Sequence, residues 1–113
     1  MSASVFQTHA DGLGNIGVAA TVPVGQTYRV MHVTCAFVSA PTTSENFTVE
    51  LDSVHGAAYD LLLYSLDPSA GATTDIAWYP DEELFVVGGD SIDVTFAGTD
   101  NIGYGVVITL KRV

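Results

Sequence analysis

The chain has 113 residues with 13 acidic side chains against 3 basic ones, a formal net charge of −10, yet 48% of it is hydrophobic and only 14% is charged. The length suits one domain whose core needs neither disulfide nor metal, and the hydrophobicity excludes intrinsic disorder. Three basic groups cannot neutralise a run of phosphates, which excludes nucleic acid as a partner.

Residues 1–15 lack the basic region and apolar stretch of a signal peptide. With Gly12 and Gly14, and Gly17 just beyond, they show no stable period and are expected to form an extended arm. The rest of the chain, 16–113, reads as one β domain. Ile16 to Val24 places Val18, Ala20, Val22 and Val24 on one face. From Thr27 to Val38, the residues Met31, Val33, Cys35 and Phe37 form an apolar face, and the alternate set is mixed. Asn46 to Ser53 alternates strictly, with Phe47, Val49 and Leu51 expected inward.

Tyr59–Leu66 and Asp75–Tyr79 are apolar on both faces, which predicts central or covered strands. Leu84–Val87 is short. Ser91–Ala97 directs Ile92, Val94 and Phe96 to one side, and Gly103–Arg112 does the same with Tyr104, Val106, Ile108 and Leu110. Turn residues separate these runs, and Pro23, Pro41, Pro68 and Pro80 lie at or near strand ends. No window shows sustained helical spacing, and none approaches the ~18 apolar residues of a membrane span. The expected fold is all-β: an antiparallel sandwich of about eight strands, jelly-roll-like, with an extended N-terminal arm.

The charges are distributed unevenly. All but one of the 13 acids, Asp11, lie between residues 45 and 100, a stretch with no Lys or Arg. Lys111 and Arg112 follow it, and Arg29 precedes it. Acids in loops and on one solvated face would keep a hydrophobic protein soluble. The first third, with a net charge of zero and a glycine-rich arm, has the character of a docking surface, and Val5, Phe6, His9, Ile16 and Val18 are its candidate contact residues.

No catalytic set emerges. Gly89-Asp90-Ser91-Ile92 resembles the serine box of a family of esterases, and Asp52-Ser53-Val54-His55 has the spacing of that family's other triad members. The order is reversed, however, and the chain offers no helix to present the serine. His9, His32 and His55 form no metal-ligating pair, and a lone cysteine alternating with apolar residues reads as a buried thiol. Asp67, Asp75, Asp81, Glu82, Glu83 and Asp90 supply oxygen ligands for calcium only if they converge; a solvated rim is the default. Trp78 and Tyr79, with Tyr59 and Tyr64, offer a sugar-stacking platform, although Trp78 is in phase with Ile76 and suits a core or an interface. Neither an enzymatic activity nor a cofactor is expected.

Three runs carry a resemblance: Val24-Gly25-Gln26-Thr27-Tyr28-Arg29-Val30, then Ala40-Pro41-Thr42-Thr43-Ser44-Glu45-Asn46-Phe47-Thr48-Val49, then Gly88-Gly89-Asp90-Ser91-Ile92-Asp93-Val94. Together they resemble small β-sandwich virion proteins of tailed bacteriophages, of the capsid decoration or cement type, over about residues 16–113. The resemblance implies a homodimer or homotrimer on the capsid exterior, synthesised in the bacterial cytoplasm, with the major capsid protein and copies of itself as partners. A carbohydrate-binding or fibre module is the alternative reading.

Overall fold

Alternation of apolar and polar residues becomes strand along most of the chain. The computed structural model describes residues 5–113 and contains β1 (Val5–Leu13), β2 (Ile16–Thr21), β3 (Thr27–Phe37), β4 (Phe47–Asp52), β5 (Leu61–Leu66), β6 (Asp75–Trp78), β7 (Phe85–Val87), β8 (Ser91–Phe96) and β9 (Gly103–Arg112). A single 3-10 turn, Ala57–Tyr59, precedes β5. Every pairing is antiparallel. Sheet I runs β1-β9-β3-β6, with β7 also on β3; sheet II runs β2-β8-β4-β5. The fold is all-β and sandwich-like, as the alternation implied.

The core lies between the sheets. Val33, Cys35, Val106 and Ile108 of sheet I and Phe47, Val49, Ile92 and Val94 of sheet II are buried in one cluster. Each such aliphatic or aromatic side chain contributes about 1.5–3 kcal/mol on leaving water. Tyr64 of β5 stacks on Trp78 of β6, with ring centroids 6.3 Å apart, and joins the two sheets along one side.

Three expectations are corrected. Residues 5–13, expected within an arm, are strand β1, paired with β9 from Val5↔Lys111 to Leu13↔Gly103. The cause is a period of two that the glycines obscured: Phe6, Thr8 and Ala10 are half-buried, while Val5, Gln7, His9 and Asp11 are exposed. Residues 1–4 of the expected arm lie outside the described residues.

The face of β3 is also different. A bulge between Val30 and His32 puts Met31 out of step. Tyr28 and Val30 therefore face inward before it, and Val33, Cys35 and Phe37 after it. One extra residue reverses the parity of a strand, so a single face read from Met31 to Phe37 fails at its first member.

The two doubly apolar segments are edge strands, not central ones. In β5, Tyr64 and Leu66 pack on the core, while Leu61 and Leu62 stay 55% and 61% exposed. In β6, Ile76 is buried and Trp78 is partly buried against the core, in the phase expected.

Candidate docking surface

The outer face of sheet I draws its side chains from the first third of the chain, from β9 and from the short strands β6 and β7. Cross-strand register arranges them in rows. At one end, Val5, Lys111, Arg29 and Phe85 stand side by side across β1, β9, β3 and β7. At the other end, Asp11, Gly105, Ala36 and Asp75 stand side by side across β1, β9, β3 and β6. Between them, His9, Val107, Thr34 and Ala77 form a third row of smaller or neutral groups.

All three basic side chains of the chain meet at the first end. A hollow of about 300 Å³ there is lined by Arg29, Lys111, Arg112, Glu83, Phe85 and Val113. Arg29 Nη1 donates to Glu83 Oε1 at 3.2 Å, the only ion pair among the described residues. Lys111 and Arg29 are directly opposed, and like charges in that relation repel. At the acidic end lies a hollow of about 500 Å³ floored by Ala36, Gly103 and Gly105 and flanked by Asp11. No heavy atom stands within 4 Å of a Cβ added at Gly105.

The outer face of sheet II differs. Glu50 of β4 faces Asp93 of β8, and Asp52 follows on the same side. Ser91 Oγ, in the esterase-like string, donates to Asp93 Oδ1 at 2.7 Å.

The five residues expected to dock divide. Val5 and His9 project from the outer face of sheet I. Phe6 turns inward and meets Tyr28 edge-on, with centroids 5.8 Å apart. Ile16 is 1% exposed and belongs to the core, because it pairs with Phe96 on the inner side of sheet II. Val18 packs partly against that core. Arg29, Lys111, Arg112 and Phe85 are distant in sequence, and only strand pairing brings them together. The available signal was that the bases lie near the start of one long strand run and the end of another, which antiparallel pairing superimposes.

Many acids are structural rather than solvating. Asp100 accepts the N–H groups of Thr42 and Thr43 at 2.8 and 2.9 Å and the Thr43 hydroxyl at 2.6 Å. These bonds hold its carboxyl below the ordinary value of 3.8, with the Thr43 hydroxyl the largest cause. Asp67 accepts the hydroxyls of Ser44 and Ser69 at 2.6 and 2.7 Å and is lowered in the same way, chiefly by Ser44. Glu45 accepts the N–H and hydroxyl of Thr99. These carboxylates tie the loops together at one end of the sandwich. Asp90 does so at the opposite end, as the pairings Phe47↔Leu66 and Asp52↔Ser91 require. Asp67 and Asp90 therefore do not converge as a calcium site needs, and no group of three or more metal-ligating side chains occurs among the described residues.

Burial, and secondarily the charge of Asp75, pushes the Cys35 thiol up to about 12. His32 lies at the bulge with its ring 5.5 Å from Tyr79, and its Nδ1 is buried without a hydrogen-bond partner. No helix among the described residues is long and apolar enough to cross a membrane.

Neither a known family pattern nor a curated protein matches the chain. Among solved structures, its fold is similar to a chain of the acidic stable capsid structure of Helicobacter pylori bacteriophage KHP30, with 14% identity, a TM-score of 0.53, and coverage of 97% of this chain and 94% of that one.

Proposed function

We propose that the protein is a structural virion component, a capsid decoration or cement protein that binds the major capsid protein on the exterior of a phage shell and associates with copies of itself. The observation that carries this reading is the likeness to a phage capsid chain along nearly the full length of both. Strand order supports it. Setting the short β7 aside, successive strands alternate between the sheets 1-9-3-6 and 2-8-4-5 except for β4 and β5, which pair with each other. This order is compatible with a jelly roll, a fold that recurs in viral capsid and lectin domains. Fold alone does not assign a function, so the surface has to carry the rest. Exposed Val54, Tyr59, Leu61 and Leu62 around the β5 edge give a contact with the shell an apolar centre.

The test is fractionation of a lysate producing the chain. The protein is expected to migrate with purified particles on a density gradient, at a copy number per shell set by capsid symmetry. Leu62→Asp is expected to release it while leaving the fold intact. A wild-type chain found only in the particle-free fraction overturns the reading. Glycan binding that disappears in Trp78→Ala or Tyr79→Ala replaces it with the carbohydrate-binding one.

A further inference from the structure

The outer face of sheet I has opposite charge at its two ends and small residues at one of them. The basic end presents Lys111 and Arg29 on adjacent strands. The acidic end presents Gly105 and Ala36 on those same strands, with Asp11 beside Gly105 and Asp75 beside Ala36. Long cationic side chains at one end thus correspond, strand for strand, to a hollow bordered by Asp11 at the other, with Asp75 on the next strand beyond Ala36.

We infer that this face binds the same face of a second copy, about a two-fold axis lying in the interface and perpendicular to the strands. That operation turns each strand over end for end while keeping its lateral position. Lys111 of one copy then stands over Gly105 of the other, next to Asp11, and Arg29 stands over Ala36, next to Asp75. A two-fold contact uses the same patch twice, so each pairing occurs twice. An axis parallel to the strands would instead set Lys111 and Arg29 against themselves, and like charges across an interface are costly. The charge pattern selects the axis.

Overall charge does not prevent this. Arg29, Lys111 and Arg112 are matched on and around this face by Asp11, Asp75 and Glu83. Asp81 and Glu82 line a second hollow beside Arg29, to the side of the row that carries Lys111, and charges more than about 8 Å apart are largely screened at physiological salt. The outer face of sheet II, with Glu50 opposite Asp93 and no base, repels its own copy. The contact develops the self-association named in the proposed function but not the capsid binding. A dimer that ignores capsids and a monomer that binds them are therefore separable results.

The test is sedimentation equilibrium of the full chain at physiological salt over a wide concentration range, with circular dichroism to verify folding. The wild type is expected to dimerise. Lys111→Glu and Asp11→Lys are each expected to weaken dimerisation at least tenfold, because each sets like charges against one another twice. An equimolar mixture of the two variants is expected to recover a heterodimer, in which every 11–111 contact again joins opposite charges. Gly105→Trp fills the hollow and is expected to leave a folded monomer. A wild type that stays monomeric overturns the inference, as does a dimer indifferent to Lys111→Glu and Gly105→Trp. Failure of the mixture to restore association overturns the two-fold geometry.

Discussion

Asp90 Oδ1 accepts the backbone N–H of Val54 at 2.9 Å, joining the start of β8 to the loop after β4. Its second oxygen accepts Val87 N–H at 3.0 Å, and the side chain is nearly buried. The carboxylate thus closes one end of the sandwich with two bonds from a single residue. The Gly-Asp-Ser string at this position is a turn-and-clamp device: Gly89, at φ +94°, lets the chain reverse, and Asp90 satisfies donors on both neighbouring loops.

Removing that clamp leaves two partly buried N–H groups without acceptors. Asp90→Ala is expected to lower unfolding free energy by about 2–4 kcal/mol, since each bond to a charged acceptor is worth about 1.5–3 kcal/mol and the two losses overlap. Asp90→Asn keeps one acceptor oxygen and is expected to lose less. Urea denaturation of the two variants beside the wild type measures the difference, and equal losses would remove the argument from the second oxygen.

At the other end of the sandwich, Asp100 and Asp67 govern acid stability. Each carboxyl is lowered in the folded state by hydrogen bonds, so the unfolded chain takes up protons first. The resulting stabilisation is fully present well above pH 3.8 and is lost as pH falls below it through the folded values. Both residues are only partly buried, so solvent keeps the effect modest. Unfolding midpoints between pH 6 and pH 2 are expected to decline more gently in Asp67→Asn and Asp100→Asn than in the wild type. Carboxyl titration by NMR is expected to place both midpoints below the ordinary value.

The parts of the fold legible in the sequence were those in which one rule acted alone. In β4, β8 and β9, strict alternation predicted Phe47, Val49, Ile92, Val94, Val106 and Ile108 as core, and all are buried. Where two rules competed, alternation misled. Met31 looked like part of an apolar face, but the bulge beside it depends on pairing with β9, a long-range relation that local periodicity does not encode. Leu61 and Leu62 looked covered because they are apolar, yet an edge strand can expose such residues where a partner is to be bound. The candidate surface was legible only in outline. Neutrality of the first third pointed to sheet I, whereas the grouping of Arg29 with Lys111 required the register.

Cys35 provides a readout of opening. Its thiol is buried and pushed up to about 12, so the native protein is expected to resist thiol reagents at pH 8 and to react only as it unfolds. The unfolded thiol ionises near its ordinary 9.0, so stability is expected to fall as pH rises from there toward the folded value. Labelling rates followed against urea concentration should track the global unfolding transition. Rapid labelling of the folded chain would show that the β3 region opens independently.

The closest test of the turn architecture is Gly98. It has φ +64°, and a Cβ there would run into the backbone carbonyl of Gly14, itself at φ +79° in the turn between β1 and β2. Gly14 N–H is committed to Ile102 O at 3.0 Å, so the two loops cannot simply move apart. Gly98→Ala therefore combines an unfavourable backbone conformation with a backbone collision, and a loss of about 3 kcal/mol or more is expected. Gly17→Ala is the matching control. It lies on the exposed side of β2 with no heavy atom within 4 Å of the added carbon, and it should leave stability unchanged or raise it by about 0.5 kcal/mol. Thermal unfolding of the pair separates the two causes from a general intolerance of side chains. If both variants melt alike, the contact between the loops does not hold the sandwich closed.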